Sequence, residues 1–106
     1  MAVIVITSKP KTLVDSIKGE IKDDKIQTWV VDKDGDFQHD TSSQQWKKAW
    51  MRPQPMGKYS IEFVPLFPSK YNASALDFGV IQGRFCEMLI GHFSNLIENV
   101  IITPAK

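Results

Sequence analysis

The stretch from Trp29 to Asp40, with Asp34-Gly35 near its middle, constrains the fold more than any other. Asp and Gly both tolerate the positive φ that a type I′ turn demands at its central positions, so the pair marks a β-hairpin. A two-residue turn sets Asp32 across from Phe37 and Val30 across from His39. A three-residue loop with Gly35 in the left-handed region is the alternative. A calcium loop competes with both, because Asp32, Asp34 and Asp36 have the spacing of its first three oxygen ligands. It fails on three requirements. Phe37 stands where a glycine must turn the chain, Ser43 stands where a bidentate glutamate must close the site, and the flanks are β-branched rather than helical. No HxH, HxxxH or CxxC spacing occurs elsewhere, so neither a metal nor a cofactor is expected. The acidic turn reads as a solvated hairpin tip that blunts a sheet edge.

Around this hairpin the periodicity alternates between strand and helix. Ala2 to Thr7 is an unbroken β-branched run, as in a central strand covered on both faces. Ser8 reads as an N-cap and Pro10 as a first helical residue; Leu13, Val14, Ile17 and Ile21 then recur at helical spacing. Strands are expected near 26–32 and 36–41. The segment 46–52 fits either a helix or a strand, and is read as a strand that pairs with 58–65 around a turn made by Pro53, Pro55 and Gly57. Ser74 and Asp77 resemble a capping box that opens the longest helix, which runs to about Leu96, and Asn99–Thr103 closes the chain as a strand. The order β-α-β-β-β-β-α-β predicts an α+β two-layer sandwich. Two helices pack on one mixed, mainly antiparallel sheet of about six strands, with the first and last strands adjacent at its centre.

The chain's 106 residues form one domain, 1–106, large enough for a core without staples. A net charge of +1 gives no basic stripe for nucleic acid. The single cysteine, Cys86, allows no internal disulfide and suits a reducing cytoplasm. The apolar runs Ala2–Ile6 and Val100–Ile102 are too short for a signal or a membrane span.

Chemistry-bearing residues are few. His39, beside Asp36 and Asp40, is the best acid–base candidate, and Arg84 and His92 on the long helix extend a pocket reading between the strand meander and that helix. Cys86 and His92 are six residues apart, about 600° round a helix, which separates them on its surface. Gly79, Gly83 and Gly91 fall on one row of the helix; each costs about 1 kcal/mol against alanine, which predicts close packing against the sheet or, as the alternative, a helix pair across a two-fold or a ligand against the backbone. Trp46, Trp50, Arg52 and Lys48 have the composition of a binding hot spot.

These features predict a non-enzymatic interaction module that binds a protein partner through an aromatic sheet face formed by Trp46, Trp50, Arg52, Lys48 and His39, and that forms a homodimer. In size and style, a small α+β chain with an acidic hairpin, it resembles uncharacterised bacterial proteins and toxin-neutralising immunity proteins; the resemblance covers no motif. The alternatives are a small enzyme or ligand-binding protein that uses His39, Asp36, Arg84 and His92, and a single-stranded nucleic-acid binder.

Overall fold

The structure is a computed structural model that describes residues 2–40, 49–55 and 57–104. Its order is β1 (Ala2–Ile6), α1 (Pro10–Lys22), β2 (Trp29–Val31), β3 (Phe37–His39), β4 (Trp50–Pro55), β5 (Ser60–Leu66), α2 (Ala75–Phe93), a 3-10 turn at Ser94–Leu96, and β6 (Asn99–Thr103). Every strand pair is antiparallel and the sheet runs β2-β3-β4-β5-β1-β6. The expected α+β sandwich of two helices on a six-stranded sheet is the observed one, although the sheet is wholly antiparallel. The first and last strands do pair, but not at the centre: β6 forms the outer edge and β1 lies next to it.

The hairpin closes through the three-residue loop. Asp32 N–H donates to Asp36 O at 3.0 Å, Gly35 N–H donates to Asp32 O at 3.1 Å, and Gly35 has φ +84°. Asp32 Oδ1 also accepts from the N–H groups of Asp34 and Asp36, both at 2.9 Å, which fixes the turn locally. The register therefore moves by one residue from the two-residue reading: Val31 faces Phe37 and Trp29 faces His39. Because side chains alternate with period two, that slip decides which face each residue occupies.

Two helix caps differ in how they are made. Lys9, not Ser8, precedes α1 and has no side-chain cap, while Pro10 sits at the start as expected. At α2 the capping box is complete: Asp77 N–H donates to Ser74 Oγ at 3.1 Å and Ser74 N–H donates to Asp77 Oδ2 at 2.9 Å.

Pro53 and Pro55 were expected to end a strand, yet β4 runs through both. β5 pairs with β4 along its whole length, whereas β3 reaches only Trp50 and Met51. The two prolines thus lie where β4 has become an edge, the one sheet position at which a missing N–H breaks no ladder bond.

Alternation sends Val3, Val5, Trp29, Phe37, Met51, Ile61 and Phe63 toward the helices, where they meet Leu13, Ile17, Ile81, Phe85, Met88, Leu89 and Phe93. Phe85 is the hub, with ring centroids 4.7 Å from Phe63, 5.2 Å from Trp29 and 5.9 Å from Phe37.

Candidate protein-binding face

With both helices on one side, the other face of the sheet is left open. The strand registers place Gln38 beside Trp50, Trp50 beside Leu66, Arg52 beside Val64, and Gln54 beside Glu62, with Ile4 between Glu62 and Ile101. Trp50, Val64, Leu66, Ile4 and Val30 are all half-buried. They form an apolar surface broken by a few polar groups, and among the described residues no further layer lies on it.

One ion pair organises this face. Arg52 Nε donates to Asp36 Oδ1 at 2.9 Å and Arg52 Nη2 donates to Asp36 Oδ2 at 2.7 Å, a two-pronged geometry that only a guanidinium can make. The Asp36 side chain is 6% exposed and that of Arg52 is 47% exposed, so the carboxylate is the sunken partner. The hydrogen bonds to Asp36, then its charge and those of Asp34 and Asp32, raise the guanidinium above its ordinary pKa. A concavity of about 340 Å³ lies beside the pair, lined by Asp32, Asp34, Asp36, Trp50, Arg52, Leu66 and Phe67. Its walls are aromatic and aliphatic, and three carboxylates to one cation leave it negative.

The remaining sequence candidates are dispersed. His39 is buried on the helix side, its ring 5.0 Å from that of Trp29, whereas Asp36 lies on the open face. Arg84 is exposed on α2 and pairs with Glu87 at 3.5 Å; His92 Nδ1 lies 3.5 Å from Glu20 of α1. His39, Asp36, Arg84 and His92 therefore do not converge. Cys86 is buried, and burial pushes its thiol up to about 11, away from nucleophilic use. Among the described residues no group of three or more His, Cys, Asp or Glu side chains is placed to hold a metal ion. Trp46 and Lys48 lie outside the described residues.

The close-packing role expected of Gly79, Gly83 and Gly91 is not what the structure shows. All three are exposed, and a Cβ on any of them would meet nothing within 4 Å.

A second concavity of about 470 Å³ lies between the start of α1 and the β4–β5 hairpin. It is lined by Pro10, Val14, Pro53, Pro55, Gly57 and Ile61, with Lys11, Asp15 and Lys58. None of the pocket candidates named from the sequence reaches it.

Sequence reasoning missed two things here: the Asp36–Arg52 pair and the part played by the acidic turn. The signal was present. Asp36 follows the turn glycine and Arg52 lies in the next strand, but their facing depends on the hairpin register.

No helix among the described residues is long and apolar enough to cross a membrane. No protein-family model matches the chain, and no curated protein and no solved structure shows significant similarity to it.

Proposed function

We propose that this protein is a non-enzymatic interaction module, acting in a reducing cytoplasm, whose open sheet face binds a protein partner. The observation that carries the reading is the concavity at Trp50, Leu66 and Phe67 beside Asp32, Asp34 and the Asp36–Arg52 pair. An apolar floor with an acidic rim suits an aliphatic or aromatic anchor next to a lysine or arginine of the partner. Arg52 is already held by Asp36, which leaves the surrounding charge unfavourable for a phosphate backbone. That disfavours the nucleic-acid alternative. The dispersal of His39, Asp36, Arg84 and His92 removes the convergent polar groups that the enzyme alternative needs.

The test is site-specific photo-crosslinking in the cells of origin, with a photoreactive residue at Val64 on the open face and at Leu76 on the helix side as control. A discrete protein adduct at Val64 is expected, and it should vanish in Trp50→Ala and in Asp34→Lys. Absence of any adduct at Val64, or the same adduct at both positions, would overturn the reading. An adduct to nucleic acid with steep salt dependence would replace it with the nucleic-acid alternative.

A further inference from the structure

Gln82 carries a polar group that the fold leaves unanswered. It lies on α2 among the core residues Ile81, Phe85 and Cys86, is 2% exposed, and its Oε1 has no hydrogen-bond partner among the described residues. Burying an amide without a partner costs a fold stability that an apolar residue in its place would not.

The same side chain lines a groove between α2 and β6. The groove measures about 280 Å³ and is formed by Ala75, Phe78, Gly79, Gln82, Ile102 and Pro104. Ala75, Phe78, Gly79 and Gln82 fall within about 100° of one another round the helix, so successive turns present them on one face. Opposite them, Ile102 pairs with the buried Val3 and so shares its helix-side face of the sheet. Gln82 is the one buried residue of the six, which makes it the floor. Phe78 is held as a wall by an edge-on contact with Phe67, ring centroids 4.9 Å apart. Gly79 keeps the space open: a Cβ there would meet nothing within 4 Å, so nothing in the chain itself requires a glycine where alanine suits a helix better. The lining carries no charge, unlike the acidic concavity at Arg52 and the lysine-flanked one at Pro53.

We propose that this groove binds a small, neutral ring compound of the lactam class, with the Gln82 amide as its polar contact and the Gly79 backbone as the surface it lies against. A side-chain amide offers one acceptor oxygen and one donor NH2. Its terminal torsion is soft and two-fold, so either end can turn to the groove. A lactam sets an N–H and a C=O side by side on one edge and answers both ends of the amide. A charged ligand would leave water for a groove that holds no counter-charge. The volume is just under the roughly 300 Å³ at which pockets for drug-sized ligands begin, which fits a compound of one or two rings. Lying on the helix side, the groove is separate from the open face, so this role stands independently of the protein-binding one.

Amide NMR of the isotope-labelled protein, titrated with the bicyclic lactam carbostyril, tests it. Saturable shifts are expected at the Gly79 N–H and the Gln82 side-chain NH2. N-methylcarbostyril, which lacks the donor, and naphthoate, which is charged, should each bind at least tenfold more weakly. Gln82→Met keeps the length of the side chain without its amide. It should weaken carbostyril at least tenfold yet melt no lower than wild type, because an unpaired polar group has been removed. Gly79→Leu should fill the groove and abolish binding, whereas Gly83→Leu, one turn on and outside the lining, should bind as wild type does. The proposal would be overturned by an absence of saturable shifts, by shifts gathered instead at Trp50, or by equal affinity for the lactam and its N-methyl form. Wild-type binding in Gln82→Met or Gly79→Leu would overturn it too, as would a lowered melting temperature in Gln82→Met.

Discussion

Arg52 of β4 faces Asp36, the turn residue just before β3, and its guanidinium grips the carboxylate with two hydrogen bonds of 2.9 and 2.7 Å. The pair fastens the acidic hairpin to β4 at the point where β3 begins, so it sets the shape of the concavity as well as its charge. Breaking a sunken pair on one side leaves a carboxylate without its cation, which costs more than removing both partners. Arg52→Lys should lower the urea midpoint, because an ammonium cannot fill both prongs, and Arg52→Ala should lower it further. The double variant Asp36→Ala/Arg52→Ala should be more stable than the sum of the single losses. Additive losses in a double-mutant cycle would show the pair to be energetically idle.

Phe85 joins helix and sheet through three aromatic contacts, to Phe63, Trp29 and Phe37. Phe85→Ala should cost about 3–5 kcal/mol by chemical denaturation, with Phe85→Leu costing less. A loss below about 1 kcal/mol would mean that the core closes over the gap.

Ser74 and Asp77 exchange hydrogen bonds at the start of α2. Ser74→Ala should lower stability by about 1 kcal/mol. Asp77 is held below its ordinary carboxylate pKa, first by the Ser74 N–H. A depressed folded pKa stabilises above the unfolded value and loses that effect as pH falls through the folded one. The stability gap between wild type and Asp77→Asn should therefore narrow in acid, as read from thermal melts at neutral and low pH.

Cys86 carries the opposite signature. Its folded thiol is pushed up to about 11 by burial, above its unfolded value, so the protonated form favours folding. Its stabilising effect is complete below the unfolded pKa and is lost as pH rises toward the folded one. Cys86→Ala should flatten the alkaline decline in urea midpoint. A thiol-reactive dye should label the native protein slowly and the unfolded protein fast, and prompt native labelling would contradict the burial.

Gly19 and Gly91 interrupt helices where an added Cβ meets nothing within 4 Å. Gly19→Ala and Gly91→Ala should each raise stability by about 0.5–1 kcal/mol, through a stiffer unfolded chain and better helix propensity. A fall in melting temperature for either would mean that its site is occupied by something absent from one isolated copy.

Local chemistry made several features legible before any fold was known. Asp34-Gly35 specifies a hairpin because few residues tolerate its dihedrals. Pro10 and Ser74 mark helix starts through the missing or satisfied N–H groups of a first turn. The run Ala2–Ile6 reads as a strand from its β-branched side chains. The order of elements, and with it the two-layer sandwich, follows from periodicity everywhere except 46–52, which fits a helix as well as a strand.

What the tertiary structure decided depends on neighbours that no local pattern names. The turn's two admissible loop lengths differ by one residue, and only the built hairpin places Trp29 opposite His39 and leaves Asp36 free for Arg52. Pro53 and Pro55 look like strand breakers until β3 is seen to stop at Met51 and leave β4 an edge. Gly79, Gly83 and Gly91 suggest close packing by their spacing, yet they face outward, because the burial of Ile81, Phe85 and Leu89 fixes how the helix is rotated. Local propensity and periodicity determine which elements form. Register, edge and helix rotation are set by long-range contacts, and these fix where the functional surfaces lie.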